Sequence, residues 1–376
     1  MSRMPRLLAI ASAALALLVA APTAQAAGRS VPRGFFGVMW DREAASAAPA
    51  TQDRQWALMA RTGVESVRTV LSWRRIEPTP GSFEFGGTDR LVTLAARRRM
   101  ELLPVVIGTP AWAAEQPAGL ASQPRDPASY GAFMGALVGR YGPSGSFWSE
   151  HPELPRRPVR AWQVWNEPHI SSYWRSDGEP WAESYVRLLR SAHAAIKARD
   201  PGATVVAAAL ANRSWDFVEL LYRAGARDHF DVLAINFFTA RPDLVLRGVR
   251  TVRRVTRKHS DARVPIWLTE TTWPASRGRI RSPNGGSWPT SERGAAKRLR
   301  EFFPLAARNR RKLGLGRMFW YTWASAYRER DVFDYGGLLR YNGRSFSPRP
   351  ALAAYAAGAL RLEGCRKTSR GACRRR

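Results

Sequence analysis

The chain has little cysteine or histidine, with two of the first and five of the second among 376 residues. It contains no Cys-x-x-Cys pair and no His-Glu-x-x-His stretch, so no zinc site is legible and no cofactor or metal is expected. The only cysteines, Cys365 and Cys373, sit near the C-terminus. In an exported chain such a pair reads as a small disulfide loop and carries no catalytic information. Acidic residues are scarce too, 30 against 59 basic, for a net charge of +29. That balance admits anionic partners: acidic glycans, wall polymers, membrane surfaces or DNA. The charge is dispersed, however. Over residues 245–258, valines 245, 249, 252 and 255 follow helical spacing. Arg250, Arg253, Arg254, Arg257 and Lys258 fall mostly elsewhere, as on a solvated helix face, so no nucleic-acid partner is expected.

Long hydrophobic runs are also missing, except one uncharged stretch from Leu7 to Ala21, preceded by Arg3 and Arg6 and followed by Ala24-Gln25-Ala26. This is the order of a secretory signal with its small-residue cleavage site, and the run is too short to span a bilayer. The expected organisation is therefore a signal peptide over 1–26, one domain over 27–362 and a basic tail over 363–376 with a Cys365–Cys373 disulfide. The mature protein is expected to be secreted, without a transmembrane segment. No linker and no repeat of 20 to 50 residues interrupts it.

What is present is alternation. Short apolar runs at 35–40, 66–71, 102–107, 161–165, 204–210, 232–237, 266–269 and 318–322 are separated by helical patterns, the order that βα units give in a parallel sheet. Asp126-Pro127 is an N-cap followed by proline at the first helical position, and Asp200-Pro201-Gly202 stops the helix carrying Tyr185, Leu188, Leu189, Ala192 and Ile196. Eight such units are most simply satisfied by closure into an α/β (β/α)8 TIM barrel, since an open sheet of that size leaves two edges to protect. In such barrels chemistry sits at the C-terminal ends of the strands.

Two strand ends place a carboxylate just past an apolar run. They read Trp162-Gln163-Val164-Trp165-Asn166-Glu167-Pro168 and Ile266-Trp267-Leu268-Thr269-Glu270-Thr271-Thr272-Trp273. Alone, Asn-Glu-Pro is a common way to begin a helix. With Glu270 three strands later, the pair fits glycosidic cleavage, in which one carboxyl protonates the leaving oxygen and the other attacks or activates water.

These motifs resemble those of the clan A barrel glycoside hydrolases, which carry an acid/base after strand four in Asn-Glu-Pro and a nucleophile after strand seven. Within that clan the chain is most similar to family 39, the β-xylosidase, α-iduronidase and bacterial exopolysaccharide hydrolase type. Gly63-Val64-Glu65-Ser66-Val67-Arg68, Pro80-Gly81-Ser82-Phe83-Glu84-Phe85 and Phe319-Trp320-Tyr321-Thr322-Trp323 carry the likeness further. The resemblance implies that Glu167 is the acid/base, Glu270 the nucleophile, and that the reaction is a double displacement retaining configuration. It also implies that Asn166 contacts the sugar 2-hydroxyl, that Arg68 keeps the nucleophile ionised, and that Trp323 lies beneath the sugar. Trp40, Trp73, Trp112, Trp165 and Trp273 stand at or near other strand ends and either extend that platform or pack in the core, whereas Trp320 is expected in the core.

The chain departs from the clan after strand six, where His-x-Tyr is replaced by Asn236-Phe237-Phe238 and the tyrosine hydroxyl is lost, and Asn236 is expected among the substrate-binding residues. Tyr321 is a candidate replacement. His169, after Asn-Glu-Pro, is either a substrate contact or an ordinary loop residue. Beside a secreted O-glycosyl hydrolase acting on a carbohydrate substrate, the sequence leaves two alternatives: a non-catalytic glycan-binding barrel, suggested by the altered strand six, and a basic exported binder of polyanions.

Overall fold

The computed structural model describes residues 28–116, 121–175, 178–280, 287–328 and 331–365, together with the backbone of 366–367 and 373–374. The expected signal segment, the Cys373 side chain and most of the basic tail lie outside the described residues.

Eight parallel strand positions form the sheet: β1 (Phe36–Trp40), β2 (Ser66–Ser72), β3 (Glu101–Ile107), β4 (Ala161–Val164), β5 in two pieces (Thr204–Val206 and Leu210–Ala211), β6 (Leu233–Asn236), β7 (Ile266–Thr271) and β8 (Leu315–Trp320). Adjacent strands pair in sequence order, and β1 pairs with β8 through Phe36↔Met318, Gly37↔Phe319 and Val38↔Trp320. The two pieces of β5 end the ladder on opposite sides, and the bridge Val206↔Val232 closes the ring.

Each strand is followed by a helix on the outside: α1 (Pro49–Arg61), α2 (Gly86–Arg98), α3 (Pro127–Tyr141), α4 (Trp181–Arg199), α5 (Ser214–Arg223), α6 (Pro242–Lys258), α7 (Glu292–Leu313) and α8 (Pro350–Leu362). The expected barrel is thus the observed one. α3 begins as its sequence specifies, with the Asp126 carboxylate accepting from Ala128 N and Pro127 at the first position.

The strands are buried on both faces, which explains their near-continuous apolar composition. The main core lies between sheet and helices, and a smaller cluster including Leu103, Val206, Ala234, Trp267 and Phe319 is packed separately. Gly37 makes room for Phe319, since a Cβ there would lie 2.5 Å from its ring. No helix of the described residues is long and apolar enough to cross a membrane.

Two expectations are corrected. The fifth strand, expected over 204–210, is interrupted at Ala207–Ala209. There Ala207 N donates to Val232 O and Ala208 N to the Tyr185 hydroxyl at 2.6 Å, so the backbone leaves one neighbour for the next. Arg253, expected on a solvated face of α6, is only 4% exposed. Its guanidinium donates to Leu313 O, Val264 O and Ala262 O, satisfying carbonyls where α7 and the turn after α6 end. A helix-wheel reading assigns an arginine to water and has no access to three carbonyls supplied by other segments.

Candidate active site

The C-terminal mouth of the barrel opens into a cavity of about 470 Å³ lined by residues from most of the strand ends, among them Asp41, Arg68, Asn166, Glu167, Phe238, Glu270 and Tyr321. Glu167 and Glu270, from the ends of β4 and β7, both reach it, as the sequence predicts. Their side chains are held from behind by polar groups on neighbouring strands.

Arg68 on β2 is the central cation. It is 1% exposed, and its Nη1 donates to Glu270 Oε1 at 2.6 Å, its Nη2 to Asn166 Oδ1 at 2.8 Å and its Nε to Gln163 Oε1 at 2.9 Å. One planar fork therefore joins the β4 motif to the β7 carboxylate, a geometry that a lysine cannot reproduce. Asn236 at the end of β6 donates through Nδ2 to Glu167 Oε1 at 2.8 Å, while its own Oδ1 accepts from the Thr269 hydroxyl at 2.8 Å. That second bond fixes the amide orientation, so the NH2 faces the glutamate; Asn236 is fully buried and absent from the cavity lining, so it supports Glu167 where a substrate contact was expected.

The β4 motif carries backbone strain. Trp165 and Glu167 both adopt left-handed conformations, at φ 66° and 47°, which are costly for residues with a Cβ. Trp165 N donates to Val106 O at 3.2 Å and Glu167 N to Ala209 O at 3.0 Å, so the two flanking strands hold the turn. Pro168 then cuts off continuation of the strand.

The two glutamates share one enclosed space and differ in their partners. Burial first, and the neighbouring Glu270 carboxylate second, push the Glu167 carboxyl up to about 7. Burial also raises Glu270, but Arg68 opposes it by charge and by hydrogen bond. With the guanidinium on Glu270 and a single neutral amide on Glu167, Glu270 ionises first and Glu167 retains the proton.

A third carboxyl, missed by the sequence reading, lies in the same cavity. Asp41 follows β1 and is pushed up to about 6, chiefly by burial, against a hydrogen bond from Thr322. Beside it Arg42 donates to the Tyr321 hydroxyl at 3.1 and 3.2 Å and to Asp334 Oδ1 at 2.7 Å. The signal in the sequence is Trp40-Asp41-Arg42, a carboxylate just past the apolar run of β1.

The aromatic expectations need correction. Trp323 is fully buried, and its indole N–H donates to Gln55 Oε1 on α1 at 2.9 Å. Trp40 packs edge-on against Trp56 with centroids 5.6 Å apart. Trp112 donates to Glu77 O and packs on Trp73, while Trp273 donates to Thr239 O beneath the following loop. Trp165 donates to Tyr173 O. None of these lines the cavity. The reason is visible at β1: Met39 and Asp41 face the cavity, so the intervening Trp40 must face the helices. Trp320 is in the core, as expected, donating to Gly336 O.

The aromatic lining comes instead from Tyr173, Phe238, Tyr321 and Phe333. Phe333 packs on both Phe238 and Tyr321, with centroids 5.0 and 5.5 Å away. Phe238 thus stands where the lost strand-six hydroxyl was expected. The Tyr321 hydroxyl is engaged by Arg42, and Arg68 is the one hydrogen-bond donor to the Glu270 side chain among the described residues. His169 packs against Phe217 with tilted rings 4.2 Å apart, burial lowers its pKa to about 4, and it does not line the cavity. Among the described residues no cluster of three or more His, Cys, Asp or Glu is placed to hold a metal ion.

A family model for glycoside hydrolase family 42, described as beta-galactosidase, matches residues 44–128; the motifs had suggested family 39. No curated protein is significantly similar in sequence. Among solved structures, a family 39 glycoside hydrolase from the gut symbiont Bacteroides cellulosilyticus WH2 is similar at TM-score 0.64 and 17% identity, over 87% of this chain and 63% of that one. The chain therefore spans less than two thirds of that enzyme's length. A family 39 enzyme from Xanthomonas axonopodis pv. citri is similar at TM-score 0.60 and 19% identity, over 88% of this chain and 67% of its own. A monomeric beta-xylosidase from Caulobacter crescentus CB15 follows at TM-score 0.59 and 17% identity, over 88% and 69%. These likenesses establish the fold: the chain is a (β/α)8 barrel of the kind found in these glycoside hydrolases.

Proposed function

We propose that the protein is an exported retaining glycoside hydrolase in which Glu167 is the general acid/base and Glu270 the nucleophile. The observation that carries this reading is the pairing of two buried carboxyls from β4 and β7 in one cavity, one salt-bridged to Arg68 and the other neutralised by its own raised pKa. Protonated Glu167 delivers its proton to the glycosidic oxygen as the Glu270 carboxylate attacks the anomeric carbon. Once Glu270 is esterified its charge is gone, the Glu167 pKa falls, and the ionised Glu167 activates the water that releases the sugar. Asn166, oriented by Arg68, lines the cavity where it can meet a sugar hydroxyl.

Export rests on the N-terminal segment over 1–26. The Cys365–Cys373 disulfide would close the C-terminal hairpin in which Arg366–Lys367 pairs with Cys373–Arg374; no cysteine is free among the described residues.

Hydrolysis of a panel of aryl β-glycosides and polysaccharides by wild type, Glu167→Gln and Glu270→Gln tests the proposal. Turnover by wild type, abolished in both variants and producing first the retained anomer by NMR, is the expected result. A non-catalytic glycan-binding barrel is favoured by one observation, the Phe238 ring in place of a hydroxyl near Glu270; undiminished glycan binding in all three proteins without any turnover would select it.

A further inference from the structure

A second groove, of about 510 Å³, adjoins the catalytic cavity. Arg213 lines it from the β5–α5 connection, Trp215 from the first turn of α5, Phe237 and Phe238 from just past β6, and Leu244 and Arg247 from α6. Phe238 lines both spaces, so a single ring separates them. Three aromatic residues line the groove, and of these Phe237 is buried and Trp215 half-buried, with ring centroids 6.4 Å apart. Gly248 lets α6 approach this floor, since a Cβ there would lie 2.6 Å from the Phe237 ring.

The cations at its rim are not equivalent. Arg213 is occupied by Asp216 at 2.6 Å. Asp243, one turn before Arg247 on α6, is taken by both arms of Arg241, at 2.9 and 2.8 Å. Arg247 itself is exposed, and its guanidinium has no ion pair or hydrogen bond among the described residues. A guanidinium without an ion pair or hydrogen bond, its charge felt at Asp243, thus lines the same groove as Trp215 and Phe238, next to a cavity holding two glutamates.

We propose that this groove is a subsite for an anionic sugar, a uronic acid residue of the same glycan whose scissile bond lies at Glu167 and Glu270. The proposal rests on the reading of the neighbouring cavity as a glycosidase site. The Trp215 face suits the C–H face of a pyranose ring, and the planar Arg247 fork matches a carboxylate. The shared Phe238 puts the groove beside the catalytic cavity, within reach of neighbouring residues of one glycan. The same dispersed positive charge that covers the rest of the surface is here combined with an apolar platform, which distinguishes a sugar subsite from a solvated face.

Binding is best read without turnover, in the Glu270→Gln protein, by calorimetric titration with hexamers of galacturonic, mannuronic and glucuronic acid, each beside its carboxyl-reduced neutral counterpart. The expected result is that at least one acidic hexamer binds more tightly than its reduced form and that Arg247→Ala weakens it about tenfold. Trp215→Ala should weaken acidic and reduced forms alike, and Arg250→Ala, an exposed arginine of α6 outside the groove, should change neither. An acidic preference that survives Arg247→Ala, an equal loss from Arg250→Ala, or no preference for any acidic hexamer overturns the subsite. The underlying hydrolase reading fails differently: wild type then shortens none of these oligosaccharides, even where binding depends on Arg247.

Discussion

Arg68 Nη1 lies 2.6 Å from Glu270 Oε1 while Nη2 of the same guanidinium lies 2.8 Å from Asn166 Oδ1. One buried cation therefore sets both the charge of the expected nucleophile and the position of the residue preceding the expected acid. Replacing it by lysine keeps the charge and loses the fork. Arg68→Lys is expected to fold, to lower kcat/KM about 100-fold, and to move the acidic limb of the pH profile upward, because Glu270 ionises less readily without its donor. A pH profile of kcat/KM for both proteins checks this; an unmoved acidic limb would separate Arg68 from the ionisation of Glu270.

The coupling of the two glutamates predicts a titration shift. Burial dominates the raised pKa of Glu167, and the Glu270 charge adds to it. Glu270→Gln should therefore lower the Glu167 pKa from about 7 while leaving it above the ordinary glutamate value of 4.5. Carbon-13 NMR of labelled glutamate reads this directly, and an unchanged midpoint would mean that the carboxyls do not sense one another.

The same shift has a consequence for stability. A carboxyl whose pKa is raised on folding costs nothing below its unfolded value and disfavours the folded state increasingly as pH rises to the folded value. Glu167 thus destabilises the fold between about 4.5 and 7, and Asp41 between about 3.8 and 6. The Glu167 penalty is on the order of 3 kcal/mol at most, from 1.36 kcal/mol per pKa unit. Glu167→Gln should accordingly raise Tm by a few degrees at pH 8 and hardly at all at pH 4. Thermal melts at both pH values settle the sign.

Phe238 stands where the clan resemblance calls for a tyrosine, and it lines the cavity with Glu270. Phe238→Tyr is expected to raise kcat several-fold by giving Glu270 a second donor that strengthens the ionised form. An unchanged kcat would mean that Arg68 alone holds the nucleophile sufficiently.

Arg253→Met removes the donor to three carbonyls, of Leu313, Val264 and Ala262, in a site 4% exposed. Leaving buried acceptors unsatisfied is expected to cost about 3 kcal/mol. Urea denaturation with an unchanged m-value and a lower midpoint would verify it, and the loss should be independent of pH between 5 and 8.

The sequence by itself determined the barrel and its two carboxylates. The strands follow from short, near-continuous apolar runs of strand length, and the ends of those runs mark the C-terminal mouth of the barrel. Glu167 and Glu270 were legible because each follows such a run within a recognisable local motif. What only the tertiary structure decided is which side of a strand end each neighbour faces. Met39 and Asp41 turn toward the cavity and Trp40 away, Trp323 is drawn under α1 by Gln55, and Tyr321 meets an arginine that lies 279 residues earlier in the chain. The hydrogen bond from Asn236 to Glu167 and the three carbonyls on Arg253 are likewise products of closure. Local pattern reports how each segment divides between core and water, but the partners of a buried polar side chain come from distant segments and exist only once the ring of strands has closed.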